Sequence, residues 1–150
     1  MAVTVNLSML ADMRKAISAR ANKEKVADLV IENMKESIAA GLSPVRGIGR
    51  FVAYKNPAKY PGDQKSRRPV NLYLSGDMLA ALKFYPTSGP GVSVGIKGAE
   101  GKKAAANNNG TKDVPRRHFM PTDRGEEFSV TITRKIRDLY SRMLSDILKR

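Results

Sequence analysis

The stretch Phe84-Tyr-Pro-Thr-Ser-Gly-Pro-Gly-Val-Ser-Val-Gly-Ile96 decides the fold. Two short runs of aromatic and β-branched residues are separated by Pro86-Thr-Ser-Gly-Pro-Gly91, which is the pattern of a β-hairpin with a Gly/Pro-rich connection. Val92, Val94 and Ile96 then share one face, because side chains alternate along a strand. With helical patterns at both ends of the chain, the hairpin predicts an α+β domain. A small antiparallel β-sheet packs with a long N-terminal helix and a C-terminal helix, and an extended Pro/Gly-rich arm joins the first helix to the sheet.

Working outward on the N-terminal side, Val70, Leu72 and Leu74 alternate with polar residues into Ser75. This reads as a short strand or an extended lead-in to a helix N-cap. Asp77 follows in the first turn, where a carboxylate complements the helix dipole, and Met78, Leu79 and Leu82 make that short helix apolar on one side. Further upstream, Leu10, Met13, Ile17, Val26, Val30, Met34 and Ile38 recur at spacings of three and four and predict a long amphipathic helix. Gly41 is its stop signal. Asn22 is either a break or a second N-cap within it, so one helix or two remains open.

Between Gly41 and Pro69 the periodicity is lost. Gly47, Gly49, Pro44, Pro57, Pro61 and Gly62 interrupt it, and Arg46, Arg50, Lys55, Lys59, Lys65, Arg67 and Arg68 are interspersed. Residues 41–69 are predicted to be an extended basic arm or long loop, since loops beyond about 12–15 residues are uncommon in a compact domain unless disordered or used for contact. Phe51, Tyr54 and Tyr60 favour contact, because solvated linkers have few aromatic residues to bury.

On the C-terminal side, residues 98–113 are small and polar around Ala104-Ala-Ala-Asn-Asn-Asn-Gly110, and are predicted to be a flexible loop. Prolines then bracket Val114-Pro-Arg-Arg-His-Phe-Met-Pro121. Pro115 and Pro121 favour extended backbone, which would dock Phe119 inward and present Arg117 or His118 outward. An edge strand with Phe119 in the core and a subunit contact are both open readings of this strap. Ile132, Ile136, Leu139, Tyr140, Met143, Leu144, Ile147 and Leu148 predict the closing helix, whose start within Val130-Thr-Ile-Thr133 is left open.

The 150 residues suit a single domain, 1–150, large enough to bury a core. Cysteine is absent, so disulfides and thiolate metal sites are excluded. Twenty-seven Lys and Arg against 14 Asp and Glu give a formal charge of +13, which points to a polyanion, an acidic protein surface, or both. The surplus is densest in residues 41–74, with seven basic side chains against one acidic, so the strongest field belongs to a loop and not to a recognition helix. No run approaches the roughly 18 apolar residues of a membrane span, and the start lacks a signal-peptide pattern, which places the protein in the cytoplasm or in a particle assembled there.

Candidate chemistry is sparse. His118 has no cysteine and no neighbouring carboxylate cluster in sequence, so a structural role outweighs a metal or triad role. The Gly95 to Gly101-Lys102-Lys103 stretch is one residue too long for a phosphate-binding loop and lacks its Ser/Thr. Asn109-Gly-Thr111 matches a glycosylation acceptor by chance. Glu126 and Glu127 are read as first-turn charges of the closing helix, not as an acid/base pair. No catalytic set converges, which predicts a protein that is not an enzyme and needs no cofactor or metal.

Leu74-Ser-Gly-Asp-Met-Leu79, Val92-Ser-Val-Gly-Ile96 and Gly110-Thr-Lys-Asp-Val-Pro-Arg-Arg-His-Phe-Met-Pro121, in that order, resemble the neck, head–tail joining and tail-completion proteins of tailed bacteriophages, including the virion morphogenesis proteins of Mu-like phages and prophages. Gly41-Leu-Ser-Pro-Val-Arg-Gly-Ile-Gly-Arg-Phe51 is similar to the linker of those proteins. His118 stands where the family often has proline. The resemblance spans roughly Ser18 to Leu148. It implies a non-enzymatic virion protein, assembled in the host cytoplasm as a hexameric or dodecameric ring between portal or connector and tail tube or tail terminator, with genomic DNA passing through the channel. Subunit or partner contacts are then expected at Arg46, Arg50, Phe51, Tyr54, Lys55, Tyr60, Arg67, Arg68, Arg116, Arg117, His118 and Phe119. The competing expectation is a basic nucleic-acid-binding module without sequence readout, which the charge supports but no DNA-reading motif does.

Overall fold

A computed structural model of the chain describes residues 7–53, 72, 76–122 and 125–149. The elements run α1 (Leu7–Ser18), α2 (Arg20–Ala39), α3 (Asp77–Ala80), β1 (Lys83–Tyr85), β2 (Ser93–Gly95), α4 (Gly98–Asn109) and α5 (Val130–Leu148). The architecture is α+β, as the hairpin and the flanking periodicities predict.

The N-terminal helical stretch is two helices. Ala19 takes an extended conformation between them, and the Asn22 side chain turns back to donate to the Ala16 carbonyl oxygen at 2.8 Å. Asn22 therefore adds a side-chain donor to a carbonyl at the end of α1 that also accepts from the Ala19 N–H. At the other end of α2, Gly41 adopts φ 76° and its N–H bonds the Ile38 carbonyl, while the Leu42 N–H bonds that of Ser37. This pair of bonds is the Schellman stop that glycine allows.

β1 and β2 pair antiparallel with Lys83 opposite Gly95, Phe84 opposite Val94 and Tyr85 opposite Ser93. Val94 and Ile96 turn onto a core built from Val30, Met34, Ile38, Phe51, Leu72, Met78, Leu82, Ala104, Phe119 and Ile132. Helix α2 lies against both strands and against α5, and α1 also packs on α5. Each fully buried large side chain here contributes roughly 1.5–3 kcal/mol. Lys23, itself buried, reaches from α2 to the hairpin turn and donates to the Thr87 carbonyl oxygen at 2.7 Å.

Several expectations are corrected. Residues 98–109 of the predicted flexible loop form α4. Its side chains are small on the inner side, where Ala104 and Asn108 are buried four residues apart, and tertiary contact overrides the weak helix propensity of the Asn run. Gly101 has a structural reason to be glycine, since a Cβ there would lie 2.8 Å from the Ile96 carbonyl oxygen. The N-cap position of α3 is Gly76, not Ser75.

The arm is likewise folded where it is described. Residues 41–53 form a tight hairpin, with the Ser43 N–H on the Gly49 oxygen, the Phe51 N–H on the Gly41 oxygen, and Leu42 bridging Arg50. Its first limb also pairs with the segment before α5, through Arg46 N–H to Glu127 O, Ser129 N–H to Pro44 O, and the Val45–Phe128 bridge. Pairing on both edges satisfies backbone groups that an extended arm would leave to water. Residues 54–69 of the predicted arm lie outside the described residues. Glu126 and Glu127 precede α5 and are not in its first turn, because the Ser129 side chain caps the helix from the Ile132 N–H.

Candidate functional site

The sequence-predicted contact residues separate into two groups, one locked inside the chain and one displayed on it. The inner group is the strap between Pro115 and Pro121. Phe119 is fully buried, so of its two open readings the core one holds and the contact one does not, and Arg117 and His118 are buried as well, at 4% and 3% exposure. The expectation that one of them faces outward is therefore wrong. The strap threads between the end of α4 and the 41–53 hairpin, so its middle residues Arg117 to Phe119 are covered on both sides. The Arg117 N–H bonds the Asn107 oxygen, and the His118 carbonyl accepts from the buried Ser43 hydroxyl.

Asn108 is the hub of this arrangement. Its Oδ1 accepts from the N–H groups of both Phe119 and Met120 at 2.8 Å. Its Nδ2 donates to the Met120 carbonyl at 3.2 Å and the Thr122 hydroxyl at 3.3 Å. A side-chain amide used through both ends in this way replaces a strand partner for the strap. Gly110 makes the reversal possible, with φ 77° and only 3.0 Å between a would-be Cβ and the Arg116 backbone nitrogen.

The Arg117 guanidinium caps the carbonyls of Val52 at 2.9 Å and Ala53 at 3.2 Å, fastening the strap to the second limb of the hairpin. Arg116 is exposed and sends Nε to the Asn108 carbonyl at 3.3 Å. The contact residue Phe51 belongs to the core. Its aromatic ring, read from sequence as a partner contact, is used by the chain's own interior.

Ser43, His118 and Glu126 come together here, and the geometry decides what they can do. The His118 Nδ1 lies 3.2 Å from the Asn108 carbonyl oxygen. The Nε2 lies 2.7 Å from Glu126 Oε1, off the line of a hydrogen bond. Both ring nitrogens thus face groups other than the Ser43 hydroxyl, which is spent on the His118 backbone and on the Val45 N–H. A nucleophile must share a hydrogen bond with its base, and this one does not. Glu126 also accepts from the Thr122 N–H at 3.0 Å, so the cluster ties the strap to the lead-in of α5. Among the described residues, no three His, Cys, Asp or Glu side chains form a group that could hold a metal ion.

The displayed group is the outer side of the 41–53 hairpin. Gly41, Ser43, Val45 and Phe51 face in, whereas Leu42, Ile48, Arg50 and Val52 face out. Leu42, Ile48 and Val52 are 39%, 45% and 56% exposed. Arg46 at the turn forms an exposed ion pair with Glu127. The apolar members of this surface were missed in the sequence because the Gly/Pro interruptions hid the alternation. Asn108 left no signal beyond its place in an Asn run. Tyr54, Lys55, Tyr60, Arg67 and Arg68 lie outside the described residues.

Comparison of the chain with protein-family models, with curated proteins and with solved structures returns no match.

Proposed function

We propose that this chain is a structural subunit of a tailed-phage particle, which assembles with copies of itself into a ring at the head–tail junction and takes no part in catalysis. The observation that carries the reading is the outer side of the 41–53 hairpin, where Leu42, Ile48 and Val52 surround Arg50 in the open. Apolar side chains grouped with arginine are the composition of protein contact surfaces. The fixed inner strap gives such a surface a rigid base. The ordered resemblance of Leu74–Leu79, Val92–Ile96 and Gly110–Pro121 to neck and tail-completion proteins supports the same reading.

In this reading the hairpin meets a neighbouring virion protein, and the charge of +13 faces acidic protein surfaces and, in part, the DNA channel. The test is genetic. Removing the gene from the phage or prophage that encodes it is expected to leave filled heads and separate tails that fail to join, and supplying the chain in trans restores joined particles. Normal joined particles without the protein would refute the proposal. The net charge favours a second reading, a general nucleic-acid binder, which predicts free DNA affinity with a steep negative log-salt slope.

A further inference from the structure

Helix α5 carries a second row of side chains beside the stripe that packs on α1 and α2. Val130, Arg134, Arg137, Ser141, Leu144 and Leu148 recur at alternating steps of four and three, so they form one ridge. Val130 and Leu148 at its ends are 61% and 58% exposed, and Arg134 and Arg137 between them are exposed. Neither arginine has an ion-pair partner among the described residues. The carboxylates of α5, Asp138 and Asp146, do not belong to this ridge.

Helix α2 carries the opposite row. Glu24, Asp28, Glu32 and Glu36 follow one another at steps of four. Like charges at that spacing repel. Asp28, Glu32 and Glu36 are exposed and have no ion-pair partner among the described residues; only Glu24 is paired, with Arg20 at 2.8 Å. In a chain with nearly twice as many basic as acidic side chains, this row stands out.

Asp28 and Arg137 point away from each other. Lys135 of α5 bonds Asn33 of α2, which fixes the sides by which the helices meet. At about 100° per residue, Asp28 lies roughly 140° around α2 from Asn33, and Arg137 roughly 160° around α5 from Lys135. One molecule therefore presents a basic ridge on one flank and an acidic row on another.

We infer that the α5 ridge of one copy docks on the acidic row of α2 in the next copy, a head-to-tail contact between copies of this chain. A two-fold contact of α5 with itself would bring two basic ridges together, which like charge opposes. The heterologous contact pairs opposite charge, and repeated by rotation it closes a ring. This inference rests on the ring reading and assigns its subunit contact.

Charge reversal tests it on the full-length protein. Arg134→Glu with Arg137→Glu, or Asp28→Lys with Glu32→Lys, is expected to weaken self-association at least tenfold while far-ultraviolet circular dichroism stays unchanged. All four substitutions in one chain are expected to restore assembly, and so is an equimolar mixture of the two singly reversed chains, which would alternate around the ring. Wild-type-like assembly of the singly reversed chains, or no recovery in both the combined chain and the mixture, would overturn the assignment and leave the ring reading standing. A wild-type protein that stays monomeric overturns both.

Discussion

Asn108 makes three hydrogen bonds to the strap and a fourth to Thr122 just beyond it, two through each end of its amide. Truncating it strands the buried Phe119 N–H, and an unsatisfied buried donor costs roughly 1–3 kcal/mol. Asn108→Ala should therefore lower the unfolding free energy by about 2–4 kcal/mol, measured by urea denaturation. A change below about 0.5 kcal/mol, ordinary for a surface site, would show that the strap is held by something else. Glycines give a paired prediction at the same scale. Gly47 and Gly110 both have positive φ, but a Cβ meets nothing at Gly47 and the Arg116 backbone at Gly110. Gly47→Ala should cost about 1 kcal/mol for backbone strain alone, and Gly110→Ala clearly more. Equal losses at the two positions would contradict the close approach of the strap.

Among the elements, those with strong periodicity were legible in the sequence. The α5 stripe and the α2 stripe were read from spacing, Gly41 was read as the stop, and Val92, Val94 and Ile96 were placed on one face of the hairpin, of which Val94 and Ile96 pack on the core. Helix α4 was not legible. Its Gly98 and Asn107–Asn109 disfavour helix, and what stabilises it is contact made by Ala104 and Asn108 with parts of the chain far away in sequence. The inward turn of Arg117 and His118 was hidden for the same reason. Alternation predicts which side chains oppose each other, whereas burial of both sides depends on what the fold lays over the strap. The outward apolar members of the 41–53 hairpin were masked by its own turn residues.

Tyr140 supplies a prediction for α5. Burial pushes its hydroxyl above the ordinary tyrosine value of 10.0. The unfolded chain ionises this group first, so the stability it contributes is whole below pH 10 and is lost as pH rises through the higher folded value. The ultraviolet difference between wild type and Tyr140→Phe should show a tyrosinate forming above pH 10, and Tyr140→Phe should lose less stability over that range. A Tyr140 titration at or below the ordinary value would mean that its hydroxyl is not shielded from water as described.

At the scale of the whole molecule, the +13 charge and the exposed apolar side chains have to be reconciled. Like-charged monomers repel at long range, but the Debye length of about 8 Å at physiological salt confines that repulsion. Local complementarity between the α5 ridge and the α2 row then governs approach. In the proposed ring, the apolar outer side of the hairpin is left for a different neighbour. Ile48→Asp with Val52→Asp should accordingly leave the assembly size unchanged and reduce the yield of joined particles in trans-complementation by an order of magnitude or more. Unchanged yield would remove the hairpin from the contact surface.

The ring itself is tested most directly by the mass distribution of the purified full-length protein, measured by light scattering across concentration and by electron microscopy of the same sample. A single closed species of fixed copy number, seen as rings and growing at the expense of monomer as concentration rises, is the predicted result. A protein that remains one copy per particle at the highest concentration would contradict it.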